Sequence, residues 1–156
     1  MKRIVVISVL MLIATSSAFA WGREGHEVIA RIAENNLKPG VRKKIESYLG
    51  HSIVYYAKWM DDYRHTPEYA FTNPWHASNV DEQLKYVPHP QGDVIYGITY
   101  AVENLADYRH LPDSAVAVNI KYLVHMVGDL HCPAHIKYHG KDYSFKVKFG
   151  GGYIKP

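Results

Sequence analysis

The chain has 156 residues, 47% of them apolar, and a formal charge of +3 that falls to +1 once Lys2 and Arg3 are set aside. That length suits one domain with a real core, and the near-neutral balance gives no basic tail for tight duplex binding. Cys132 is the one cysteine, which excludes an intramolecular disulfide, and all ten histidines follow residue 20, so metal can take over the stabilising role.

Residues 1–20 read as a signal peptide. Lys2 and Arg3 form a basic start, Ile4 to Ile13 an apolar stretch, and Ala18-Phe19-Ala20 a small-residue cleavage site. The apolar stretch is too short to span a bilayer, and no other run is long enough. The expected product is secreted or periplasmic, with no membrane span and no protein partner inferred. Cleavage would free the α-amino group of Trp21, five residues before His26. Residues 23–37 place Val28, Ile29, Ile32, Ala33 and Leu37 at helical spacing. Pro39 then starts a second helix that Gly50 ends. The pattern predicts a third helix over 53–63, irregular chain over 66–92 and a helix over 93–108. Asp113 is expected to cap a long helix through about Leu130, which Pro133 ends. Residues 144–149 alternate as a short strand, and Gly150 to Gly152 read as a flexible tail. The fold class is mainly α, with a short β segment near the C-terminus.

The chemistry concentrates in three segments. A free Trp21 amine, its carbonyl oxygen and the His26 imidazole together can hold zinc. His125 and Asp129 are four apart, so they share one helix face and can bind one ion from a rigid support. His135 lies past the Pro133 break and is free to turn to a different ion. An isolated His-x-x-x-Asp pair arises by chance, but three potential ligands in eleven residues of an otherwise apolar helix favour metal. Asp61, Asp62 and Arg64 gather near a helix end, and His76 sits in an aromatic loop. Asp62 reads as solvated; His51, His65, His89, His110 and His139 read as surface residues. His131, two after Asp129, points to another face, and Cys132 reads as a small buried residue.

Trp21-Gly-x-x-Gly-His26, Trp59-x-Asp61-x-Tyr63-Arg64, His76 and His125-x-x-Gly-Asp129-x-x-x-Pro-x-His135 together resemble the trinuclear zinc nucleases of the S1/P1 single-strand type, related in fold to zinc phospholipase C. The resemblance implies an exported helical enzyme. It assigns one zinc to Asp61, His76, His125 and Asp129. A second would sit on Trp21, His26 and a bridging Asp129, and His135 would serve a third. It gives Asp61 and Arg64 catalytic roles, with Arg64 beside the scissile phosphate, and puts Trp21, Tyr63, Arg64, His76 and Asn79 against substrate. The implied reaction is hydrolysis of single-stranded DNA or RNA to 5′-phosphate products, driven by paired zinc ions.

The chain departs from that pattern in places. The family completes its third zinc with a downstream His-x-x-x-Asp motif, and no His or Asp follows Asp142 here. The domain 21–156 is therefore expected to be incomplete at its C-terminal end and to hold two zinc ions rather than three. Lys141-Asp142-Tyr143 replaces a Gly-Gly-Asn. Asn79 stands where fungal members have an aspartate that orients the arginine, and Ala77 replaces a pocket aromatic. Two other readings stay open: a truncated, weak or inactive zinc-binding fragment, and a phospholipase C acting on lipid head groups.

Overall fold

The computed structural model describes residues 22–138, 147–149 and 152–154. Residues 1–21, and with them the expected leader and Trp21, lie outside the described residues. The architecture is mainly helical. Helix α1 (Arg23–Asn36) ends where Lys38, restricted by the following proline, turns extended. Helix α2 (Pro39–Leu49) starts on Pro39 and stops at Gly50, whose φ of 74° is left-handed.

The helix expected over 53–63 is split. A 3-10 turn over Ile53–Tyr56, capped by the Ser52 hydroxyl, precedes the short α3 (Trp59–Tyr63). The break falls at Ala57, whose carbonyl accepts a hydrogen bond from His125 Nδ1 at 2.8 Å. That oxygen points into the site rather than along a helix axis.

The segment expected to be irregular carries two regular pieces, a 3-10 helix over Ala70–His76 and β1 (Ser78–Val80). β1 pairs in parallel with β2 (Ile136–Tyr138), Ser78 opposite Ile136. A strand of three residues is too short to leave a readable alternation. Helix α4 (Val94–Ala106) is capped by Asp93, whose carboxylate accepts from the Ile95 and Tyr96 amides. Helix α5 (Asp113–Leu130) has Pro112 at its cap position, so Asp113 is its first residue, an acid on the positive end of the dipole, and not the cap. A 3-10 turn over Pro133–His135 follows. Val147–Phe149 forms β3, antiparallel to β4 (Gly152–Ile154). Residues 144–146, 150 and 151 lie outside the described residues, and Gly152 begins a strand rather than continuing a tail.

Helix α5 joins two apolar clusters. Ala30, Leu49, Ile53, Ala57, Val116 and Ile120 form one; Met60, Trp75, Val94, Ala101, Tyr122 and Met126 form the other. Gly97 permits the second: a Cβ there would lie 2.4 Å from Met126 Sδ and 2.9 Å from the Trp75 ring. Its lack of a side chain, which weakens α4 locally, lets α4 close on α5. Among the described residues, no helix is long and apolar enough to cross a membrane.

Candidate metal centre

His125 and Asp129 project from the last turns of α5, both fully buried. His26 comes from α1, Asp61 from α3, His76 from the end of its 3-10 helix and His135 from the turn after α5. The fold brings these six side chains to one place. His125 Nε2 and His76 Nδ1 lie 3.3 and 3.1 Å from Asp129 Oδ2, and 3.1 Å from each other. Asp61 Oδ1 completes the group at 3.8 Å from His76 Nδ1 and 3.9 Å from His125 Nε2. The other Asp129 oxygen, Oδ1, faces His26 Nε2 at 3.3 Å and His135 Nδ1 at 3.2 Å. His135 Nδ1 also bonds the His76 carbonyl.

Two triads have ligand atoms mutually within 4.8 Å: His76-His125-Asp129 and His26-Asp61-His125. The second joins His26 to Asp61 across the site, a pairing that the motif spacing did not suggest. Two residues outside the motifs shape the centre. The Ala57 carbonyl accepts the proton of His125 Nδ1, which leaves the neutral ring's Nε2 lone pair facing the carboxylates. Gly128 lets the His26 ring approach α5, since a Cβ there would lie 2.4 Å from His26 Nδ1. Its place three residues after His125 was visible; its purpose was not, because the close approach comes from a distant helix.

The electrostatics suit a cation. Burial pushes His26 down to about 4, helped by the neighbouring His125. Burial also lowers His76. Burial opposes charge on His125 most strongly, but the hydrogen bond to Asp129, the charges of Asp129 and Asp61 and the Ala57 carbonyl together outweigh it and raise its pKa. Asp129 is buried too, yet hydrogen bonds from His125 and His76 hold its carboxyl well below the usual carboxylate range. A buried carboxylate ringed by imidazoles, two of which burial makes harder to protonate, is a donor set of the borderline type zinc takes. The fit is also visible in what is left unpaired. Asp129 Oδ1 is buried with no hydrogen-bond partner, although two imidazole nitrogens lie within 3.3 Å. His26 Nδ1 and His76 Nε2 are buried and unpartnered as well.

The remaining candidates lie outside this group of six. Arg64 Nη2 is 3.7 Å from Asp61 Oδ1, and Arg64 Nε is buried without a partner. Asn79 is buried on β1 and does not pair with that nitrogen. Tyr63 is half-exposed, its ring stacked on Trp59 at 4.8 Å. His131 is exposed and bonds back to the Val127 carbonyl at 2.7 Å, away from the centre. Cys132 is buried. His89, expected at the surface, is only partly exposed.

The family model for S1/P1 Nuclease matches residues 21–152. The chain is 26% identical to Nuclease S1 of Aspergillus oryzae over 153 residues, covering 86% of this chain and 50% of that protein. It is 25% identical to Endonuclease 2 of Arabidopsis thaliana over 150 residues, covering 85% of this chain and 51% of that one. Endonuclease 1 of the same plant is 25% identical, with 86% and 50% covered. The chain thus spans about half the length of the curated relatives it matches. With its helical fold and a family match running from residue 21 to residue 152, the chain belongs to the S1/P1 nuclease family.

Proposed function

We propose that the chain is an exported, zinc-dependent phosphodiesterase that hydrolyses single-stranded DNA and RNA to 5′-phosphate products. The observation that carries this reading is the buried, unpartnered Asp129 Oδ1 between two imidazole nitrogens, with Asp61 and Arg64 at the rim. Asp61, His76, His125 and Asp129 would hold one ion; His26, Asp129 and the Trp21 terminus would hold a second. Zinc at such a pair supplies Lewis acidity toward a phosphate and acidifies a water. Arg64, held near Asp61 and only partly buried, offers its guanidinium to the phosphoryl oxygens as charge builds there. Tyr63 presents an open ring face beside Arg64 on which an unpaired base can stack, something a base inside a duplex cannot do. His76 and Asn79 would contact the strand as well.

The test is cleavage by the zinc-loaded chain of an end-labelled single strand, the matching duplex and phosphatidylcholine vesicles. Cutting of the single strand alone, with 5′-phosphate ends and loss on Arg64→Ala, is the expected result. Head-group release without strand cleavage would favour the phospholipase reading. A chain that binds zinc and cleaves neither substrate would be the second reading, a zinc-binding chain without strand cleavage.

A further inference from the structure

Beside the 3-10 helix that supplies His76 lies a cavity of about 590 Å³ that none of the metal-centre residues lines. Phe71, Trp75, Tyr86 and Tyr96 wall it, with Pro88 and the 89–92 loop as its lip. We propose that this cavity is a second subsite for the nucleobase of a single strand, recognised by stacking and by its polar edge.

The walls are aromatic and open. Phe71, Tyr86 and Tyr96 are 57%, 44% and 51% exposed, although large apolar rings gain by burial. Trp75 forms the floor, buried, with its ring centre 5.4 Å from both Phe71 and Tyr96. The rings are also held in place. Asp93, fully buried, accepts the Tyr86 hydroxyl on both oxygens at 3.1 and 3.0 Å. It also takes the His89 amide at 3.2 Å and the Ile95 and Tyr96 amides at 3.0 and 3.1 Å. One carboxylate therefore fixes the Tyr86 wall, the loop and the first turn of α4. Gly92, at a φ of 81°, lets the loop lie against the floor; a Cβ there would meet Tyr96 at 2.7 Å and Trp75 Nε1 at 2.8 Å. The cavity thus exists before a ligand arrives, which removes an ordering cost from binding.

The lining selects the ligand class. Among the described residues its lining contains no lysine or arginine, and the Asp93 carboxylate is fully engaged, so a phosphate finds no lysine or arginine to neutralise it there. His89 Nδ1 accepts the Gln91 amide at 3.2 Å, which puts the neutral ring's proton on Nε2 as a donor. The Gln91 side-chain amide adds both a donor and an acceptor. Aromatic faces, a modest polar edge and no cation fit a base and exclude a bare sugar phosphate. Trp75 and His76 are consecutive, so a strand whose phosphate lies at the metal centre could place a base here.

This inference rests on the nuclease reading for its choice of a strand, but its test does not need cleavage. Adenosine and ribose 5-phosphate are titrated into the zinc-loaded chain, with nuclear magnetic resonance shifts of the Phe71 and Tyr96 rings as the readout. Adenosine should shift both, and ribose 5-phosphate neither. Phe71→Ala should weaken adenosine binding about tenfold, the loss of one stacking face. Phe71→Tyr should retain it, and Tyr55→Ala, an exposed ring on another element, should leave it unchanged. Equal adenosine binding by Phe71→Ala, no ring shifts, or binding of a glucan oligosaccharide in place of adenosine would overturn the subsite. A chain that binds adenosine here yet cleaves no strand would count against the nuclease reading and leave the subsite standing.

Discussion

The His26 and His125 rings lie face to face, their centres 4.1 Å apart and their planes within 13° of parallel. Each sends its Nε2 to a different oxygen of Asp129, both at 3.3 Å. The stack exists because Gly128 leaves room for it, a Cβ there lying 2.4 Å from His26 Nδ1. Gly128→Ala should therefore displace His26 while His76, His125 and Asp61 keep their places. Elemental analysis should show a loss of about one zinc ion per chain, and α5 should gain rather than lose helical propensity. Unchanged zinc content would mean that His26 is not a ligand.

Asp129 faces both halves of the centre, so its loss should be felt twice. Asp129→Asn should lower zinc content by more than the single ion lost with His26→Ala. His131→Ala should change nothing, since that ring is exposed and turned back onto Val127. Equal zinc losses in Asp129→Asn and His131→Ala would overturn this placement.

The contrast between those two residues shows what the sequence made legible. The i, i+4 rule placed His125 and Asp129 on one face, whereas His135, expected to turn to a different ion, comes within 3.2 Å of Asp129 Oδ1. Long helices with a proline start or a glycine stop were equally readable, as α2 shows at Pro39 and Gly50. What stayed hidden depends on distant partners. The Ala57 carbonyl leaves its helix for a histidine 68 residues away. β1 and β2 are three residues each and join segments 58 positions apart, Ser78 opposite Ile136. Gly97 looks like a flaw in α4 until Met126 and Trp75 are seen against it.

A polar knot far from the chemistry should carry stability alone. Glu34 is buried on α1, with Arg31 Nη1 at 2.7 Å, the Ser52 hydroxyl at 2.5 Å and Arg42 Nη2 at 3.6 Å. It ties α1 to α2 and to the cap of the 53–56 turn. Glu34→Ala should cost about 2 kcal/mol, through the unpaired Ser52 and the lost charged hydrogen bonds. Thermal melting should fall by roughly 4–8 °C, with zinc content per folded chain unchanged. A loss of zinc without a change in melting would contradict this division of labour.

Processing should matter for the second ion. Gly22 sits one helical turn before His26, its carbonyl accepting the His26 amide at 3.4 Å. Residue 21 is thus adjacent in sequence to the start of α1, where a freed amine could serve His26. Sequencing of exported protein should find Trp21 first. One extra residue ahead of it should weaken zinc at the His26 side while circular dichroism keeps its helical signal. A mature start at another residue would remove the terminus from this site.

The number of ions follows from which ligands stand together. Among the described residues, the triads that could hold a metal, His26-Asp61-His125 and His76-His125-Asp129, share His125, whose Nε2 alone is left by the Ala57 carbonyl and serves one ion at a time; neither includes His135. His135 has its Nδ1 committed to the His76 carbonyl, so only Nε2 remains for an ion of its own. A zinc held firmly takes three or four protein ligands. With one ion on Asp61, His76, His125 and Asp129 and a second on His26, Asp129 and the Trp21 terminus, the processed chain from Trp21 to Pro156 should bind about two zinc ions, with a third appearing only weakly and at high zinc. A third ion would neutralise the leaving oxygen, and losing one such electrostatic contact costs on the order of 100–1,000-fold in rate. Strand cleavage by this chain should accordingly be weak, and adding a segment that bears His-x-x-x-Asp should raise zinc content and turnover together. Equilibrium dialysis against zinc, followed by elemental analysis, checks the first half, and single-turnover cleavage of a labelled strand the second. Three tightly bound ions in the chain from Trp21 to Pro156 would overturn the count and shift attention to Cys132, His139 and Asp142, whose substitution by alanine would then have to remove one ion.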